Sequence, residues 1–168
     1  IGVEDLASND IEVISFIYNI PLWLIDLWMG EFGRDKTEDL CAWFNQQPKL
    51  TARINTILID IPQCLTLLKE QGWDVSQDSN YKDIIYINSH RGSLEKSDAV
   101  IKGYITFMDK ASMLVARLVN PQPGERVLDC CAAPGGKSMY LAALMDNTGS
   151  LMSCDIHEHK IAVMESNA

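Results

Sequence analysis

Basic residues are scarce in this sequence. Fourteen Lys and Arg stand against 23 Asp and Glu in 168 residues, and the formal net charge is -9. None of the basic residues falls in the first 30 positions. Such a balance excludes the broad basic face by which charge alone announces nucleic-acid binding. It leaves room only for a local patch within 61–120, where Lys82, Arg91, Lys96, Lys102 and Lys110 occur. Long apolar runs are missing too. The most apolar window, 11–30, is interrupted by Glu12, Asn19, Pro21 and Asp26, residues expensive in lipid, so buried helices are expected and no membrane span. The start lacks a basic segment and carries Glu4 and Asp5, which argues against a secretory signal. Cys41, Cys64, Cys130, Cys131 and Cys154 are odd in number and have no scaffold-like spacing, which points to reduced thiols and a cytoplasmic location. The first residue is Ile1 and the last, Ala168, ends a run that still reads as helical, so the chain is expected to be an internal fragment.

What is present reads as three regions. Residues 1–45 are expected to be the end of a longer helical region. Ile11, Ile14, Ile17 and Tyr18 share one helical face, and Pro21 suits the first turn of a second helix that Gly30 and Gly33 break. Asp35 or Thr37 is expected to cap a third helix, and Trp23, Trp28 and Trp43 to pack in a core. Residues 46–106 alternate as strand (50–55), helix (61–71) and two short strands (73–75 and 84–87), with 89–102 expected as a loop or linker. The order suggests a small α+β module of the ferredoxin or RNA-recognition type. Residues 107–168 give an amphipathic helix (109–119) with Met113, Leu114, Ala116 and Leu118 on its apolar side, then strand, helix, strand, helix. The fold class is therefore α/β, with the beginning of a parallel, Rossmann-like sheet behind the small module. Two parallel strands do not make a stable sheet alone, which again suggests a truncated domain.

Residues 129–138 read Asp-Cys-Cys-Ala-Ala-Pro-Gly-Gly-Lys-Ser, directly after Val127 and Leu128. A strand that empties into small residues before a helix is a place where backbone can approach a ligand closely and a helix N-terminus can face it. A P-loop needs a glycine five positions before Gly136, and Cys131 stands there. The dinucleotide fingerprint is absent, since Gly135 and Gly136 are adjacent. Another nucleoside-bearing cofactor remains. Asp155, twenty positions after Gly135 at the end of the second strand, is placed to accept hydrogen bonds from ribose hydroxyls. Its plainer alternative is capping of the next helix.

These residues resemble motif I of the S-adenosylmethionine-dependent RNA cytosine-5 methyltransferases. Asn45 with Pro48, Arg53 and Asn55, and the run 107–114 around Asp109, Ser112 and Leu114, resemble further segments of that family. Residues 20–24 resemble the lead-in of its bacterial Sun/Fmu (RsmB) ribosomal RNA methyltransferase branch. The resemblance implies S-adenosyl-L-methionine as cofactor, wrapped by Cys131, Ala132, Ala133, Pro134, Gly135, Gly136 and Lys137. Asp155 would hold the ribose, and Lys137 would either meet the cofactor's carboxylate or help hold the loop. It also implies RNA, with 16S ribosomal RNA as the substrate and Arg53 and Asn55 as RNA-facing residues. Ser138, Met108 and Ala111 depart from the family's usual Thr, Gln and Ser.

The family's nucleophile is a Cys that follows Pro and adds to C6 of cytosine, because C5 is a poor nucleophile unaided. No cysteine here follows a proline, so no catalytic residue is assigned in this chain, which by itself is expected to transfer no methyl group. Two other readings stay open: a non-catalytic RNA-binding or assembly module with a vestigial cofactor fold, and a methyltransferase of another substrate class. Cys130 and Cys131 point to opposite faces of a strand and neither pair nor chelate one ion; they are expected to be buried. Cys154, His157 and His159 lack a fourth ligand, and no metal is expected.

Overall fold

The computed structural model describes residues 10–167. The chain divides at Pro48 into two compact units. The first contains α1 (Asp10–Tyr18), α2 (Leu22–Phe32) and α3 (Arg34–Phe44), and residues 1–9 of the expected helical segment lie outside the described residues. Ile14, Ile25 and Cys41 meet in its core, with Tyr18, Trp28 and Met29 packed around them. Pro21 precedes α2 instead of sitting in its first turn. Gly30 stays inside α2, where nothing crowds it and a solvent-facing glycine costs only about 1 kcal/mol relative to Ala. Gly33, at φ +77°, both ends α2 and opens α3, so neither Asp35 nor Thr37 is the cap. Thr37 is buried and donates its hydroxyl to the Gly33 carbonyl at 2.8 Å. Trp28 is partly buried and stacks on Phe44, but Trp23 and Trp43 are 68% and 64% exposed and are not core residues. Among the described residues no single helix is long and apolar enough to cross a membrane, and α1 and α2 meet at a bend of 119°.

The second unit begins with β1 (Leu50–Ile54), α4 (Ile61–Glu70), β2 (Asp74–Gln77), β3 (Ile84–Ser89), α5 (Asp98–Ile101) and β4 (Ile105–Phe107). The sheet order is β2-β3-β1-β4 with antiparallel neighbours throughout, the complete ferredoxin-like arrangement. The expected linker therefore holds a short helix and leads to an unforeseen edge strand. Period-two alternation sends Ala52, Ile54, Ile85, Ile87 and Ile105 to one face, where Cys64, Leu68, Trp73 and Ala99 cover them. Each fully buried Ile or Leu there contributes roughly 1.5–3 kcal/mol.

The other face carries Thr51, Arg53 and Ile84 toward α6 (Lys110–Val119) and α7 (Gly136–Leu144). Asp109 caps α6, accepting the amides of Ala111 and Ser112 at 2.8 and 3.3 Å. Met113 and Ala116 of α6 pack with Ile84 and with Tyr140, Leu141 and Ala143 of α7, while Leu118 is 85% exposed and does not belong to the buried side. Behind α7 lie β5 (Arg126–Asp129) and β6 (Ser150–Ser153), parallel and in register from Arg126–Ser150 to Asp129–Ser153, followed by α8 (Glu158–Asn167). Val127 and Leu151 turn toward α7; Leu128 and Met152 turn to the opposite, open face.

Candidate functional site

The loop between β5 and α7 is built around two carboxylates at neighbouring strand ends. Asp129 closes β5, accepting the Cys131 amide at 3.2 Å on Oδ1 and the hydroxyl of the fully buried Ser138 at 2.7 Å on Oδ2. The end of the strand is thereby tied to the first turn of the helix. Asp155, just past β6, accepts the Ala133 amide at 3.3 Å and the His157 amide at 3.0 Å. These amides, with Lys160 nearby, hold its carboxyl below the usual carboxylate range. Backbone bonds finish the frame: Ala132 N–H reaches the Cys154 carbonyl at 2.9 Å, and Gly135 N–H reaches the Ala132 carbonyl at 2.7 Å. The Ala133–Pro134 peptide is cis.

Gly135 precedes α7 at φ +103°, a conformation open to glycine and costly for other residues. No side chain caps this helix. Its first backbone bond runs from Met139 N–H to Gly135, so the amides of Gly136, Lys137 and Ser138 have no carbonyl one turn earlier in the helix. The first turn thus presents N–H donors and the positive end of the helix dipole beside small side chains. Such a cradle suits an anionic group, and the half-buried Asp155 suits hydroxyls at the adjacent strand end. The residues expected around the cofactor, 131–137 and Asp155, are all brought to this one edge. Cys130 and Cys131 are exposed, contrary to expectation, because β5 stops at Asp129 and the sheet face beyond is open.

Arg53 is elsewhere. Its side chain is buried, 1% exposed, with the guanidinium 5.0 Å from the centre of the Tyr140 ring. Among the described residues its Nε and Nη1 have no hydrogen-bond partner, and burial lowers its pKa. A buried guanidinium is not presented to RNA, so the expected RNA-facing role does not fit this position. Asn55 is half-buried and organises the turn after β1, where its Oδ1 accepts the Ile57 amide at 3.3 Å.

Two polar networks were not foreseen. Tyr140 donates to Asp83 at 2.7 Å and accepts from Arg117 Nε at 2.6 Å, while Arg117 Nη2 donates to Asp83 at 2.5 Å. Burial and the Asp83 carboxylate push the Tyr140 phenol up. Asp78, almost fully buried, accepts from Lys110 at 2.5 Å, Tyr86 at 2.7 Å and the amides of Asn80 and Tyr81. Lys110 and Tyr86 hold the Asp78 carboxyl well below its ordinary value, and Asp78 raises Lys110 in return. Each network joins side chains far apart in sequence, which no local motif marks.

Two family models match this arrangement. The one described as "Methyltr_RsmF/B-like, ferredoxin-like domain" covers residues 20–92, and "16S rRNA methyltransferase RsmB/F" covers 116–168. The chain belongs to the RsmB/F methyltransferase family. It is 34% identical to the probable ribosomal RNA small subunit methyltransferase B of Bacillus subtilis over 88% of this chain and 33% of that protein. The Synechocystis protein of the same description is 33% identical over 83% of this chain and 31% of its own length. The RsmB/F-type chain therefore spans about a third of the curated relatives it matches. The crystal structure of PH0851 superposes with a TM-score of 0.86 at 30% identity, over 95% of this chain and 36% of that one. The crystal structure of NSun6 from Pyrococcus horikoshii with SFG shares the fold, with a TM-score of 0.79 at 16% identity, over 88% of this chain and 62% of that one.

Proposed function

We propose that this chain carries the methyl-donor site of an RNA cytosine-5 methyltransferase, with S-adenosyl-L-methionine as the donor and 16S ribosomal RNA as the substrate, acting in the cytoplasm. The observation that carries the reading is the uncapped first turn of α7 beside Asp155, on a loop of small side chains. When bound, S-adenosylmethionine supplies an electrophilic methyl group. The amides of Gly136 and Lys137 and the Lys137 ammonium would hold its carboxylate, and Asp155, whose carboxyl is held below the usual range, would accept from its ribose hydroxyls. Asp129 and Ser138 hold the loop in shape through their mutual hydrogen bond.

The family relationship supports the RNA and cytosine parts. The relatives are described as ribosomal RNA methyltransferases, and a human relative, 42% identical over 71 residues, as a tRNA (cytosine(72)-C(5))-methyltransferase. Attack at C5 calls for a thiolate adding at C6 and for a cytosine turned out of its stack. The five cysteines here do not follow proline, so none is assigned that role.

Isothermal titration of the chain with S-adenosylmethionine tests the cofactor half, and Asp155→Ala is expected to abolish or strongly weaken the binding. Equal heats for both chains would sink it. Incubation with 16S ribosomal RNA and labelled donor is expected to give no methyl transfer by this chain; turnover on cytosine would overturn the assignment of the nucleophile elsewhere.

A further inference from the structure

Two ammonium groups meet the ring of Tyr86. Lys49 Nζ lies 5.5 Å from the ring centre and Lys110 Nζ 5.6 Å. Lys49 comes from the approach to β1, Tyr86 from β3 and Lys110 from the first position of α6, so three elements converge here. Strand register brings the first two together, because Thr51 stands opposite Tyr86 and Lys49 precedes Thr51 by two positions. Of the five basic residues from which a local patch was expected, Lys110 is the one that reaches the ring, and Lys102 is paired with Asp98 instead.

The two lysines are held differently. Lys110 spends two of its three N–H donors on Asp78 and the Tyr86 hydroxyl, which fixes its ammonium in place and leaves one donor unspent. Its side chain is still 36% exposed, while that of Asp78 is buried. A cation in the first turn of a helix opposes the helix dipole, so α6 on its own gives no reason for a lysine there. Lys49 is exposed and, among the described residues, forms no ion pair. The cluster thus shows solvent two ammonium groups and hides its one carboxylate. Lys110 also follows Met108 by two positions, at most about 7 Å of chain, and the sulfur of Met108 stands beside Gly136 in the first turn of α7.

We propose that Lys49 and Lys110, set in place by Tyr86 and Asp78, form a phosphate-binding surface for the backbone of a single-stranded RNA segment. The surface lies on the face of the ferredoxin-like sheet that also packs against α6 and α7. Charge complementarity selects the occupant. In a chain of net charge -9, a place where two ammonium groups stand together over a hidden carboxylate is where a polyanion can settle. Contacts of this kind fix the position of a strand and carry no sequence information. A single strand is also the form in which a base leaves its stack at least cost. The proposal rests on the RNA reading above.

Fluorescence anisotropy of a labelled, cytosine-containing single-stranded RNA, titrated with the full chain at a series of salt concentrations, tests the surface. Lys49→Gln is expected to lower the slope of log affinity against log salt by about 0.7, one phosphate contact on a single strand, and to weaken RNAs of different sequence equally. Lys49→Glu is expected to weaken binding further, and Lys49→Arg to restore it. Lys96→Gln makes the same charge change at an exposed position in the loop before α5 and is expected to keep the parent's slope. Lys110 is tested together with its carboxylate. Lys110→Gln with Asp78→Asn keeps the net charge, and the same loss of slope is expected from a double variant whose circular dichroism matches the parent's. A Lys49→Gln slope equal to the parent's, or an equal fall for Lys96→Gln, overturns the surface. A folded double variant that binds like the parent overturns the part given to Lys110, and Lys49 decides the surface if that variant does not fold. A parent chain that binds no RNA sinks the RNA reading itself, which a lost slope in the variants alone does not.

Discussion

The hydroxyl of Tyr140 lies 2.7 Å from a carboxylate oxygen of Asp83, joining α7 to the segment that enters β3. Arg117 closes the triangle from α6. Tyr140→Phe keeps the ring under Arg53 and deletes both hydroxyl bonds. With Asp83 left short of a donor in a buried place, the loss is expected to be about 1–3 kcal/mol. Urea denaturation of the two chains measures it, and an unchanged midpoint would show that the triangle contributes nothing.

Arg53 makes the opposite case. Two of its nitrogens are buried without a partner among the described residues, so the guanidinium carries a desolvation cost that its approach to Tyr140 offsets only in part. Arg53→Met, which preserves the bulk, is expected to be neutral or stabilising. Arg53→Ala, which leaves a cavity, is expected to cost about 2–4 kcal/mol. Thermal melts of both variants distinguish a cation kept for packing from one kept for its charge.

The Asp78–Lys110 pair sets a pH window. Asp78 titrates below its unfolded value of about 3.9, so its contribution is present above that value and disappears as pH falls through the folded one. Lys110 titrates above its unfolded value of about 10.4, so its contribution is present below that value and disappears as pH rises through the folded one. Both contributions are therefore whole between about pH 4 and pH 10. Asp78→Asn is expected to flatten the acid limb of a stability–pH curve, and an acid limb identical to the parent's counts against the pair.

Gly149 tolerates no side chain. It adopts φ +86°, and a Cβ there would lie 2.3 Å from the Glu125 carbonyl oxygen and 2.8 Å from the Gly124 carbonyl carbon. Both obstacles are backbone, and the same Glu125 carbonyl already accepts the Ser150 amide at the start of the β5–β6 ladder. Gly149→Ala is expected to cost at least about 2 kcal/mol through backbone strain and clash, read as a lowered melting temperature.

The β5–α7 loop and its flanking strands were legible because their signal is local. Val127 and Leu128, a run of small residues and the acid of the second strand lie within 30 positions and need no distant partner to be read. The edge strand β4 was not, because a strand of 3 residues is too short to show alternation. Exposure was misjudged where the sequence cannot say which face is covered. Trp23, Trp43 and Leu118 have core-like character at helical spacing, yet among the described residues the faces they occupy carry no neighbour that buries them. Arg53 failed in the other direction, since a charged residue in a polar-looking motif reads as surface while the strand register turns it inward.

Between β4 and α6 there are only Met108 and Asp109. Met108 donates its amide to the Thr51 carbonyl, and its own carbonyl accepts the Thr51 hydroxyl at 2.7 Å; Asp109 is occupied by the first amides of α6. The sulfur of Met108 also stands beside Gly136, 3.8 Å from where a Cβ would be. Hydrogen bonds at both residues of this two-residue joint tie the end of the ferredoxin-like sheet to the start of α6. The β1–β4 edge thereby sets the offset between that sheet and the first turn of α7.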